Sequence, residues 1–126
     1  MKKIYKSYVI KSTIEKVWQA LVDPKVIKIW SGSDAVMSEE QGSEFKLWNG
    51  DIWGTNIIVE KNSRLVQEWY GGKWKNPSIV TITLEQIKER IKLELIHTNI
   101  PEDIESFSTG WDEYYLGEIK KLLERK

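Results

Sequence analysis

At 126 residues the chain fits one domain over 1–126, long enough to bury roughly two thirds of its unfolded surface without covalent staples. Its 19 basic and 19 acidic side chains cancel to a formal net charge of zero, which argues against a large basic face for nucleic acid or an anionic membrane. The absence of cysteine excludes a disulfide framework, a thiol nucleophile and zinc-finger spacing. The first residues, MKKIYKSYVIKS, alternate rather than form the apolar run of a signal peptide, and nothing approaches ~18 consecutive apolar residues. A cytoplasmic protein with no membrane insertion is the expectation. Seven tryptophans bring large apolar area with a polar handle, common in cores and at interaction surfaces alike.

Lys2 to Lys11 reads as a strand, with Ile4, Tyr8 and Ile10 on one face and Tyr5 and Val9 on the other. Ser12-Thr13-Ile14-Glu15 carries a capping-box signature with Ser12 as the expected N-cap. The helix it opens places Ile14, Val17, Trp18 and Leu21 at the spacing of one buried face. Asp23-Pro24 ends that helix and starts a second, Asp23 as N-cap and Pro24 at the first helical position. Val26, Ile27 and Trp30 are its buried side, and Ser31-Gly32-Ser33 closes it.

From Asp34 to Thr98 the period is that of strands. Ala35–Met37 and Glu44–Trp48 flank a turn at Gln41-Gly42, and Asn49-Gly50-Asp51 is a hairpin signal. Ile52–Glu60, Leu65–Tyr70, Ile79–Glu85 and Arg90–Thr98 come next, separated by Lys61-Asn62-Ser63, Gly71-Gly72 with Trp74, and Asn76-Pro77. Pro101-Glu102-Asp103 leads towards the end, where Ile104 and Phe107 form an extra turn. From Gly110 to Lys126, at about 100° per residue, Trp111, Tyr115, Leu116, Ile119, Leu122 and Leu123 share one helical stripe. Asp112 and Glu113 suit its first turn, and Lys120, Lys121 and Arg125 its last.

This order predicts an α+β fold: a helix-grip arrangement in which a curved antiparallel sheet of about six to seven strands wraps a long C-terminal helix, with two short helices after the first strand. A sheet gripping a helix leaves a natural small-molecule cavity between them. If Leu65, Gln67 and Trp69 face the helix, and Ile52, Gly54, Asn56 and Ile58 do likewise, the cavity candidates are Asn56, Gln67, Trp69, His97, Trp111, Tyr115 and Glu118. Glu118 lies at the edge of the apolar stripe, and two readings stand: a rim carboxylate in water, or one aimed into the cavity. His97 is the only histidine and falls in register with Leu93 and Leu95. As a general acid or base it would need a positioned partner, and a lone strand histidine is more often structural. No metal-ligand spacing is present, no G-x-S-x-G elbow and no phosphate loop. Lys73-Trp74-Lys75 alone makes no groove for single strands.

The opening Ile10-x-Ser12-x-x-Glu15-x-Val17-Trp18-x-Ala20-Leu21-x-Asp23-Pro24, followed by Trp30, resembles the start of the activator-of-heat-shock-protein-90-ATPase family, where alanine is commoner at the serine. Phe45 to Gly54 resembles its hairpin. Leu65-Val66-Gln67-Glu68-Trp69 with Trp74 is similar to its paired-tryptophan segment. Asn99-Ile100-Pro101-Glu102 and then Gly110-Trp111, Tyr114-Tyr115 and Ile119-Lys120 resemble its closing motif. That family sits in the helix-grip superfamily of START lipid-transfer domains, polyketide cyclases and the birch-pollen allergen. The resemblance implies a domain without chemistry or cofactor that contacts an ATP-dependent chaperone's nucleotide-binding domain and promotes its closed, ATP-hydrolysing state. Those activators also carry an N-terminal domain that docks on the chaperone's middle segment, and these residues start directly at the helix-grip domain. The superfamily implies two other functions: a carrier of a small hydrophobic molecule, and a polyketide-cyclase-like enzyme using His97 and Glu118.

Overall fold

Strand β1 (Lys2–Ile10) is followed by two short helices, α1 (Ile14–Val22) and α2 (Pro24–Ser31). The structure is a computed structural model and describes residues 2–101 and 104–125. The cap of α1 is Thr13, whose hydroxyl accepts from the Lys16 N–H at 3.2 Å; the expected Ser12 cap is therefore displaced by one residue. Asp23 caps α2 as its sequence indicates, accepting from the Lys25 N–H at 2.9 Å, with Pro24 following. The apolar faces of both helices turn inward: Val17, Trp18, Ala20, Leu21 and Ile27 are fully buried. The Trp30 indole N–H donates to the Ala20 carbonyl at 2.8 Å, tying the two helices together.

Strands β2 (Glu44–Leu47), β3 (Ile52–Glu60), β4 (Arg64–Gly71), β5 (Ser78–Ile87) and β6 (Arg90–Ile100) complete one antiparallel sheet in the order β1-β6-β5-β4-β3-β2. Alternation sends Leu65, Gln67 and Trp69, then Val80, Ile82 and Leu84, then Leu93, Leu95 and His97 to the same buried face. Two expectations change here. Ala35–Met37 contributes a single bridge, Val36 to Lys46, rather than a strand. In β3 the register shifts between Asn56 and Ile58, a bulge that exchanges the faces of the residues beyond it. Val59, not Ile58, therefore packs on the core beside Leu65.

The C-terminal helical run comprises α3 (Ile104–Gly110), a π turn (Trp111–Tyr115) and α4 (Leu116–Glu124). Glu102 and Asp103 lie outside the described residues. Trp111, Tyr115, Leu116 and Ile119 are buried against the sheet and the two short helices, giving the helix-grip fold. The run also clasps the end of β1. Lys120 Nζ donates to the Val9 carbonyl at 2.6 Å, and Glu124 accepts from the Lys11 N–H at 2.8 Å. That backbone hydrogen bond, ahead of Lys120, holds the Glu124 carboxyl below its usual range. No helix among the described residues is long and apolar enough to cross a membrane.

Candidate functional site in the grip

Alternation in β3 and β4 sets Asn56 opposite Gln67 across the ladder, both fully buried. Buried amides must find partners or cost stability, and these two find each other. Gln67 Nε2 donates to Asn56 Oδ1 at 2.8 Å, Asn56 Nδ2 donates to Ser43 Oγ at 3.0 Å, and Trp69 Nε1 donates to Gln67 Oε1 at 2.8 Å. Met37 Sδ lies 3.6 Å from Asn56 Nδ2 as a further weak acceptor. The strands come unusually close just before this point: a Cβ on Gly54 would stand 1.7 Å from the Glu68 carbonyl oxygen, so only glycine fits.

A second polar chain starts on β5. Ser78 Oγ is 2.8 Å from His97 Nε2, and Trp111 Nε1 donates to His97 Nδ1 at 3.1 Å. An indole N–H only donates, so Nδ1 accepts and the imidazole proton sits on Nε2, facing Ser78. Burial pushes the His97 pKa down to about 4, and the ring is neutral at pH 7 with both nitrogens engaged. The two chains meet where Trp69 and Trp111 stack, with centroids 5.0 Å apart.

The π turn sets the remaining aromatic contacts. The Leu116 N–H reaches back five residues to the Trp111 carbonyl, and the widened turn leaves the Trp111 and Tyr115 rings 4.6 Å apart. Tyr115 also packs 4.6 Å from Trp30. Its hydroxyl is sealed from solvent and makes no hydrogen bond among the described residues, and burial raises its pKa. On the outer side, Asp112 fastens the turn to β1: Lys6 Nζ lies 2.7 Å from one carboxylate oxygen and the Tyr8 hydroxyl donates to the other. Partial burial pushes the Asp112 pKa up, but the hydrogen bonds from Lys6 and Tyr8 outweigh it and the net shift is downward.

Between this run and the sheet lies a pocket of about 360 Å³, walled by Trp48, Ile52, Trp69, Phe107, Trp111 and Tyr115. Gly110 and Tyr114 stand at its helical side, and Ser106 at the exposed rim. None of the described lining residues is charged.

Six of the seven residues singled out from sequence are therefore brought together in the grip, though not in one role. Trp69, Trp111 and Tyr115 form pocket wall, whereas Asn56, Gln67 and His97 sit behind it with their polar groups spent on one another. Glu118 is apart from them, a half-exposed carboxylate 3.4 Å from Lys121; of its two readings, the structure places it at the rim. Ile52 borders the pocket as alternation in β3 indicates, whereas Trp48, Ser106, Phe107, Gly110 and Tyr114 are the pocket residues that sequence reasoning passed over. Only Gly110, a glycine inside a helical pattern, carries a local signal. Among the described residues no group of three or more His, Asp or Glu side chains is placed to hold a metal.

Residues 11–124 match the family described as Activator of Hsp90 ATPase homolog 1-like protein. The chain belongs to that family. A relative from Dictyostelium discoideum, named Activator of 90 kDa heat shock protein ATPase homolog, is 30% identical over 107 residues. The mouse relative, Activator of 90 kDa heat shock protein ATPase homolog 2, is 24% identical over 116 residues. These alignments take in 82% and 90% of this chain but only 28% and 35% of those proteins, so the family domain here matches a minor part of each. Among solved structures, an HSP90 activator from Plasmodium falciparum superposes with a TM-score of 0.90 at 26% identity, covering 96% of this chain and 95% of the other. Family membership accounts for the helix grip.

Proposed function

We propose that this chain is a non-catalytic co-chaperone module, one helix-grip domain over its 126 residues that contacts an ATP-dependent chaperone of the Hsp90 class and raises its ATPase rate. The observation that carries this reading is the likeness to the Plasmodium falciparum HSP90 activator, which runs over nearly the whole of both chains. The grip supports the non-catalytic part. A general base needs a free lone pair within reach of substrate, and His97 has both ring nitrogens committed to Ser78 and Trp111. Glu118, the other candidate for cyclase-like chemistry, faces Lys121 outside the pocket. The test is the ATPase rate of the host's own Hsp90-class chaperone with and without the purified chain. A saturable rise is expected; no binding and no rise would remove this reading.

A second reading is favoured by the pocket itself: the chain binds or carries a small hydrophobic molecule between sheet and helix. A volume of about 360 Å³ lies within the range of ligand sites. Native mass spectrometry of the chain from its host is expected to show a copurified small molecule, and a clean apo mass that accepts no apolar compound would count against it.

A further inference from the structure

Two glycines lie in the C-terminal helical run for different reasons. A Cβ on Gly117 would fall 1.9 Å from the Asp112 carbonyl oxygen, so the backbone of the π turn demands glycine there. Gly110 has ordinary helical dihedrals, φ −60° and ψ −39°. A Cβ there would meet nothing nearer than Tyr114 Cδ2 at 4.0 Å, which is plain van der Waals contact. Glycine is the costliest residue short of proline inside a helix, and at 110 neither dihedral strain nor crowding requires it. It preserves space, because Gly110 borders the pocket.

Resting on the second reading above, we infer that Gly110 keeps this pocket open for a neutral, planar aromatic molecule. Neutrality follows from the lining. No described lining residue is charged, and the indole N–H groups of Trp69 and Trp111 point away to Gln67 and His97. The Tyr115 hydroxyl is sealed beneath the wall. A carboxylate entering here would lose its water and gain no charged partner. Planarity follows from the walls. Trp48, Trp69, Phe107 and Trp111 offer ring faces and edges, to which a flat π system adds offset or edge-to-face contacts beyond its buried area. A flexible acyl chain gains the area without those contacts and loses its rotational freedom on entry. The pocket lies at the small end of ligand cavities, which suits a compact ring system.

The experiment uses the full chain, with N-phenyl-1-naphthylamine as the neutral aromatic probe and decanoate as the flexible anionic comparator. Calorimetry and tryptophan fluorescence report binding, and thermal melting confirms that each variant is folded. The wild type is expected to bind the naphthylamine one to one with quenched tryptophan emission, and decanoate at least about tenfold more weakly. Gly110→Leu, which fills the pocket from its helical side, is expected to weaken the probe by about tenfold or more, and Gly110→Ala by a smaller factor. Decanoate binding as tightly as the probe would overturn the ligand class while leaving the hydrophobic-carrier reading standing. Binding of neither would overturn both. Unchanged probe binding in Gly110→Leu and Gly110→Ala would overturn the role of Gly110.

Discussion

Trp111 donates its indole hydrogen to His97 across 3.1 Å, and that contact fixes the histidine in its neutral form with Nε2 protonated. Adding a proton to Nδ1 would set two donors face to face between aromatic rings, since Trp69 and Phe107 also pack edge-on against the imidazole. The unfolded imidazole titrates near 6.5 and the folded one near 4. Between those values the unfolded chain holds the extra proton, so stability rises with pH across this window. The His97 contribution is fully present above about pH 6.5, is lost as pH falls, and is exhausted below about 4; its size is on the order of 3 kcal/mol. Urea unfolding at a series of pH values checks this. His97→Phe should lower stability at pH 7 and flatten the slope between pH 6.5 and 4.5, and a flat wild-type curve there would contradict it.

Tyr115 should be replaceable by phenylalanine at a gain. Its hydroxyl is buried without a hydrogen bond among the described residues, and an unmet buried polar group costs about 1–3 kcal/mol. Tyr115→Phe is expected to raise unfolding free energy by about 1 kcal/mol in chemical denaturation. A loss of similar size would mean that the hydroxyl has a partner.

The two helical glycines should respond in opposite directions to the same substitution. Gly117→Ala drives a methyl group into the Asp112 carbonyl and is expected to cost at least about 1–3 kcal/mol. Gly110→Ala relieves the helix of its glycine without a clash and is expected to add about 0.5–1 kcal/mol. Paired thermal melts decide the matter, and equal shifts would show that the π turn is not where the constraint lies.

Gln67 links Asn56 to Trp69, so truncating it strands a buried acceptor and a buried donor. Gln67→Leu is expected to cost about 2–4 kcal/mol, and a double-mutant cycle with Asn56→Leu should return a coupling of about 0.5–3 kcal/mol. Glu118→Gln, which touches only a surface ion pair with Lys121, should stay within about 0.5 kcal/mol of wild type.

The parts of this fold that repeat with a fixed period are legible in the sequence. β4 alternates without interruption, which assigns Leu65, Gln67 and Trp69 to the inner face, and His97 goes with Leu93 and Leu95 in the same way. Departures come wherever the backbone inserts or drops a residue. The bulge after Asn56 turns Val59 inward in place of Ile58. The π turn interrupts the constant angular step that a helical stripe assumes; periodicity leaves Glu118 between rim and cavity, and its contact with Lys121 sets it at the rim. The site is harder still. Sequence identifies polar residues on the inner face, but not that Asn56, Gln67 and His97 find their partners behind the wall and leave the pocket to aromatic rings. The Gly110 opening depends on what surrounds a missing Cβ, and that information exists only in three dimensions.

The clasp on β1 limits one way in which this molecule can meet others. An open sheet offers unpaired backbone at both margins, where a foreign strand can add itself and propagate. Here Lys120 and Glu124 occupy backbone groups at Val9 and Lys11 on one margin. On the other, Val36 exchanges both hydrogen bonds with Lys46 of the outermost strand, β2. Strand addition is therefore blocked at those points. A foreign strand adding there would first have to break the contacts at Val9, Lys11 and Lys46.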